Sequence, residues 1–177
     1  MRMKAPMTFV LGLCFLAFIP MAAAVEACDL PEGLQHEIAV RYAGAKLVRL
    51  SDLNDDDRGF FQKDHGDGYP GLAKLDFYGD GQLTLALVLI GKSGAKEKAQ
   101  LVLAHDVGGR WETRMVDTTN GEPVPVVWSQ PPGAYRDVNG KKEIRATRPV
   151  IVFAGYESWA ILYAWTGTRV TKIWLRD

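Results

Sequence analysis

From Leu72 to the C-terminus the chain alternates short apolar segments with glycine-centred turns, and this punctuation constrains the fold more than any other feature. Candidate strands are 72–78, 83–90, 99–105, 111–117, 124–128, 143–147, 149–154, 158–165 and 169–175. Between them stand Gly79-Asp80-Gly81, Gly91 to Gly94, Gly108-Gly109, Asn139-Gly140, Glu157-Ser158 and Gly167. Glycine supplies the positive φ that tight hairpins demand, and Asn and Asp tolerate it. Parallel pairing needs long crossovers, which these connections do not offer. The expected fold is mainly β, built of antiparallel meanders with a short N-terminal helix. Leu83–Ile90 (LTLALVLI) is apolar on both faces and predicts a central strand covered on each side.

An internal echo adds to this. "LVLAHDVGGRWETRMV" (101–116) lies over "AILYAWTGTRVTKIWL" (160–175) at an offset of 59, pairing Leu103 with Leu162, Gly108 with Gly167 and Arg110 with Arg169. The same offset brings Gly81 onto Gly140. The reading is two related four-strand units, each with an Asp/Asn-Gly turn and a Gly-x-Arg turn, packed as stacked or continuous sheets.

The N-terminal part is different. Asp29 offers an N-cap, Pro31 suits a first turn, and Glu32 adds an acidic group beside it. Leu34, Ile38 and Tyr42 recur at spacing four, which predicts a helix over 31–42 closed by Ala43-Gly44. Residues 46–50 read as a strand, and Ser51 to Gly71 as a polar loop with one helical turn around Arg58 to Gln62.

Ahead of these elements, Arg2 and Lys4 precede a 13-residue apolar run, Met7 to Ile19, then Pro20 and the small residues Ala22 to Ala24. This is the layout of a cleaved signal peptide, residues 1–24, with an uncleaved anchor as the alternative. The run is shorter than the roughly 20 residues that span a bilayer. The expectation is therefore a single β-rich domain over 25–177, periplasmic or secreted, with no membrane span in the mature chain. Cys28 would then be the lone cysteine of that chain, unable to form an internal disulfide, with lipidation as the alternative to a free thiol. Without the leader, 19 basic residues face 21 acidic ones. So balanced a surface gives no reason to expect nucleic acid as a partner.

Several clusters bear on chemistry. In "SDLNDDDRGF", Asp52, Asn54 and Asp56 fall at positions 1, 3 and 5 of an EF-hand pattern, but Asp57 replaces the position-6 glycine and Lys63 the position-12 glutamate. A solvated loop or capped helix start fits better. In "KDHGDGYPG", His65 lies between Asp64 and Asp67, a set that general-base chemistry could use. The other histidines, His36 and His105, have no metal-ligand spacing around them, and no cofactor motif is present. In "GYESWAILYAW", alternation puts Trp159, Ile161, Tyr163 and Trp165 on one strand face, which Trp174 on the next strand can extend. Such a stripe is a core face when buried and a platform for sugar rings or a protein when exposed; core is the preferred reading.

The stretch "DFYGDGQLT" resembles the calcium loop of integrin-type propeller repeats, the FG-GAP or VCBS family. That resemblance implies oxygen ligands at Asp76, Asp80 and the Gln82 carbonyl, yet Tyr78 and Thr84 stand where further oxygen-bearing ligands belong. Ca²⁺ takes six to eight oxygens, so the ligand count favours a hairpin turn over a metal site. Over most of its length the chain is also similar to small uncharacterised exported bacterial proteins sharing "DFYGDG" and "YESWA-x-LY-x-W-x-G" segments. This implies an envelope or secreted setting and transfers no activity.

The functional expectation is a non-catalytic exported protein that binds a protein or a cell-wall glycan. Its candidate contacts are Trp128, Tyr156, Glu157 and Trp159, with the loop from Asp55 to Tyr69. The alternatives are a hydrolase using His65 with Asp64 or Asp67, and a Ca²⁺-stabilised module using Asp76 and Asp80.

Overall fold

Two antiparallel sheets form, and each is covered on both faces. The computed structural model describes residues 30–93 and 96–176. The segment expected to be a signal peptide, Cys28, Asp29 and Gly94 lie outside the described residues. Helix α1 (Glu32–Arg41) leads to β1 (Lys46–Leu47), a 3-10 turn over Leu50–Asp52 and helix α2 (Asp55–His65). Then come β2 (Leu72–Leu75), β3 (Thr84–Ser93), β4 (Lys96–Val107) and β5 (Arg110–Asn120). The second half comprises β6 (Val126–Gln130), β7 (Gly133–Arg136), β8 (Glu143–Ala146), β9 (Val150–Gly155), β10 (Trp159–Trp165) and β11 (Val170–Arg176).

The first sheet runs β3-β4-β5 as a meander, with β1 and β2 both pairing to the outer edge of β3. The second runs β6-β9-β10-β11, and the hairpin β7–β8 stands apart from it. Strand alternation then decides the layers. Ala86, Val88 and Ile90 of β3 face the second sheet, joining Leu101, Leu103, Val127, Ile151, Phe153, Ile161 and Tyr163 in one core. Leu85, Leu87 and Leu89 face the other way, against Leu34 and Ile38 of α1. On the far face of the second sheet, Val150, Val152, Leu162 and Ile173 are covered by Tyr135, Ile144 and Ala146 of the hairpin. The resulting order is helix, sheet, sheet, hairpin. It explains why 83–90 has no polar face, and the central-strand expectation holds.

The sandwich has one tied edge and one open edge. At the tied edge β2 runs beside β6, and Val127 N–H donates to the Pro70 carbonyl at 2.8 Å. Phe61 of α2 is buried in the inter-sheet core. At the open edge β5 and β11 are joined through side chains alone, described below.

Three features depart from the sequence reading. The polar loop 51–71 contains an 11-residue helix, α2, rather than a single turn. Its signals are local: the Asn54 side chain accepts from Asp57 N–H at 2.8 Å, three Asp residues fill the first turn, and Gly66 closes the helix at φ 60°. Strand β7 is absent from the predicted set, yet Gly133–Arg136 pairs with β8. The strand predicted over 46–50 shortens to Lys46–Leu47.

The internal echo is met in part. Gly108 and Gly167 both sit at positive φ in the turns joining β4 to β5 and β10 to β11. Gly140, however, turns the β7–β8 hairpin, whereas Gly79 and Gly81 lie between β2 and β3, so those positions are not equivalent in the two sheets.

Candidate functional site

The open edge is a groove whose walls are β5 and β11. Leu101, Leu103 and Ala99 of β4 face the core, so their partners Asp117, Arg114 and Thr119 on β5 share that inward side. The register slips between Leu101 and Val102, which pair with Asp117 and Met115, leaving Val116 as the bulged residue. A bulge re-aims the side chains next to it. Here Val116 packs on the core while Asp117 also turns inward. On the opposite wall, Val170, Lys172 and Trp174 pair with Trp165, Tyr163 and Ile161 of β10.

Asp117 bridges the two walls. Its Oδ2 accepts from Lys172 Nζ at 2.7 Å and from the Tyr163 hydroxyl, and its Oδ1 accepts from Thr118 N–H at 2.8 Å. Burial pushes this carboxyl up, but the donors Lys172, Tyr163 and Thr118 outweigh it and leave the group below the ordinary Asp value. The buried Tyr163 phenol is pushed strongly upward, first by burial and then by Asp117, so it stays a donor.

On one side of the bridge lies a cleft of about 180 Å³ lined by Trp159, Trp174, Phe153, Ile161, Lys172 and Asp117, with Thr118 and Thr119 at its rim. Trp159 is half-buried and meets Phe153 edge-on, ring centroids 5.0 Å apart at 69°. Its place depends on Gly155, its cross-strand partner. A Cβ on Gly155 would stand 2.6 Å from Pro123 Cγ and 3.0 Å from Trp159 Nε1. Trp174 is 44% exposed, a large aromatic surface left open to solvent.

On the other side lies a wider pocket of about 360 Å³, lined by Tyr78, Asp80, His105, Glu112, Thr113 and Arg114. His105 Nε2 is 3.0 Å from Asp80 Oδ2, and Nδ1 is 3.0 Å from Thr84 Oγ1. Asp80 is held below its ordinary value, first by Gln82 N–H and also by His105. As an ionised carboxylate it can only accept, so Nε2 carries the proton. Both ring nitrogens are thus engaged, and Thr84 is wholly buried. This Asp–His–Thr chain anchors the turn and offers no accessible nucleophile.

The turn that carries Asp80 is built by its own carboxylates. Asp76 accepts from Gly79 N–H at 2.7 Å and Gly81 N–H at 3.1 Å, and Asp80 from Gln82 N–H at 3.1 Å. Arg148 lies directly on Gly79 and donates to the Tyr78 carbonyl; a Cβ at Gly79 would overlap its guanidinium. Among the described residues no cluster of three or more His, Cys, Asp or Glu side chains could hold a metal ion.

The remaining predicted residues lie elsewhere. His65, at the end of α2, is sandwiched between Phe61 and Trp128, with centroids 4.9 and 5.0 Å away, and these rings border a separate cavity of about 260 Å³. Burial lowers the His65 pKa, with Asp64 opposing; Asp64 and Asp67 are both exposed. Tyr156 stacks on Phe60 of α2 at 5.9 Å, and burial, then Asp64 and Asp57, push its phenol up to about 12. Glu157 occupies the turn at φ 56° and is exposed. Of the four predicted contacts, Trp159 lines the open groove, while Trp128 lines the His65 cavity and Tyr156 packs on α2. Sequence reasoning passed over Asp117, Lys172 and Arg114. Alternation along β5 was the available signal, but the bulge at Val116 breaks its phase.

No helix among the described residues is long and apolar enough to cross a membrane. Comparisons with models of protein families, with curated proteins and with solved structures found no match.

Proposed function

We propose that the protein is a non-catalytic exported binding module whose open-edge groove holds a sugar ring of a cell-wall glycan. The observation that carries this reading is the pairing of Trp159 and Trp174 around a cleft that also presents Asp117, Lys172, Thr118 and Thr119. Flat aromatic faces stack on the apolar faces of sugars, and a few convergent polar groups fix the hydroxyls. The groove is also solvent-open and its walls are paired strands, so a chain that extends beyond it can enter from solvent. Export rests on the leader sequence, and mass spectrometry tests it: a mature N-terminus at Val25 is the expected result, and retention of residues 1–24 overturns it.

Calorimetric titration with chitotetraose tests binding. Heat of binding should be present for the native protein and lost in Trp174→Ala, whose exposed side chain leaves the core intact. No heat with chitotetraose or with soluble peptidoglycan fragments overturns the reading. Turnover of either ligand would replace a binding role with a catalytic one.

A further inference from the structure

The wider pocket shares no lining residue with the Trp159–Trp174 cleft, and the charges there are unequal in their commitments. Two carboxylates face that pocket and both have partners. Asp80 is bonded to His105 and Gln82, and Glu112 pairs with Arg110 Nη2 at 2.8 Å. His105 is likewise engaged at both nitrogens. Arg114 is the exception: among the described residues it has no ion-pair or hydrogen-bond partner, and its side is exposed. Its charge reaches the Tyr78 phenol, which burial raises and Arg114 draws back down, with Asp80 adding a smaller upward push. Arg114 lines the pocket beside Tyr78 and pairs with core-facing Leu103, which puts it on the pocket side of β5. Arg114 pairs with Leu103 and Asp117 with Leu101, so the two are one inward step apart, about 7 Å along the neighbouring strand.

We infer that Arg114 forms a second subsite, one inward step along β5 from the Asp117 that lines the Trp159–Trp174 cleft, which receives the carboxylate of an acidic sugar in the same chain. This rests on the glycan reading above and narrows it to carboxylate-bearing glycans. A planar guanidinium donates two parallel hydrogen bonds to a carboxylate, a geometry that Lys172, already held by Asp117, cannot supply. Tyr78 beside it offers a hydroxyl to the same group. The bridge then acts as a spacer, with one ring on the tryptophan side and the charged substituent on the arginine side.

Two tetrasaccharides with the same β-1,4 backbone separate the two readings: neutral chitotetraose, and the alternating N-acetylglucosamine–N-acetylmuramic acid tetramer, which adds lactyl carboxylates. In calorimetry at low salt the acidic tetramer should bind the native protein about tenfold more tightly, the scale of one charge-assisted pair. That ratio should fall toward one in Arg114→Gln, persist in part in Arg114→Lys, and shrink for the native protein at about 0.5 M salt, where surface charge is screened. Equal affinities for the native protein, or a ratio that survives Arg114→Gln, overturn the inference while leaving the glycan reading in place. Binding of neither tetramer overturns both. The salt series needs no variant, so the test stands even if Arg114→Gln is unstable.

Discussion

Asp117 on β5 and Lys172 on β11 meet at 2.7 Å and join the two sheets at the edge where, among the described residues, no backbone hydrogen bond does so. The same carboxylate takes the Tyr163 hydroxyl, whose ring is part of the inter-sheet core. Structure and groove therefore depend on one side chain.

Asp117→Asn should destabilise the domain by about 1–3 kcal/mol, because it removes the charge that the buried Tyr163 hydroxyl and Lys172 are placed to meet. The pH dependence has a definite sign. The folded-state value of Asp117 is depressed, so its contribution is fully present above the unfolded value of 3.8 and is lost as pH falls through the lower folded value. Denaturant melts of native protein and variant should differ above about pH 4 and converge in stronger acid.

Gly155→Ala should push Trp159 out of place, since the new Cβ would sit 2.6 Å from Pro123 Cγ and 3.0 Å from the indole nitrogen. Overpacking of this kind costs about 1–3 kcal/mol. Tryptophan emission should shift and chitotetraose affinity fall together; loss of stability with unchanged binding would separate Trp159 from the site.

His65 provides a separate pH signal. Burial between Phe61 and Trp128 lowers its pKa, so the neutral ring is preferred in the fold. That preference stabilises the protein fully above the unfolded value of 6.5, and the contribution declines as pH falls through the depressed folded value. His65→Phe keeps an aromatic ring between Phe61 and Trp128 and removes the titration. Its melting temperature should therefore drop less than the native protein's between about pH 8 and pH 5.

The Asp76–Asp80 turn gives a metal test. Its carboxylates are engaged by Gly79, Gly81, Gln82 and His105. Millimolar Ca²⁺ should leave the melting temperature unchanged, whereas Asp76→Ala should lower it by about 2–6 °C with or without Ca²⁺. A clear Ca²⁺-dependent rise would instead establish the metal-stabilised alternative.

The sequence was most legible where period and punctuation agreed. LTLALVLI is apolar at every position but Thr84, and from Thr84 to Ile90 every residue is buried in β3, while Leu83 precedes the strand and is exposed. Trp159, Ile161, Tyr163 and Trp165 point to one side as alternation requires, and Ile161 and Tyr163 are buried there. α2 was hidden because its polar first turn dominates its composition, leaving Phe61 as its one buried apolar side chain. β7 carries only Ala134 and Tyr135 as apolar residues, and its pairing with β8 becomes visible only in three dimensions. The groove was hidden for another reason. Asp117, Lys172 and Tyr163 are separated by 46 and 55 residues along the chain, and no local pattern announces a contact of that range.

The tryptophans themselves report most directly on the glycan recognition proposed for the open edge. The protein has five, at positions 111, 128, 159, 165 and 174, and each gives one indole N–H resonance. Titration with chitotetraose should move the signals of Trp159 and Trp174 in a saturable way and leave those of Trp111 and Trp128 in place. Signals of Trp159 and Trp174 that stay fixed at saturating glycan, or movement confined to Trp128, would contradict a glycan site in this groove.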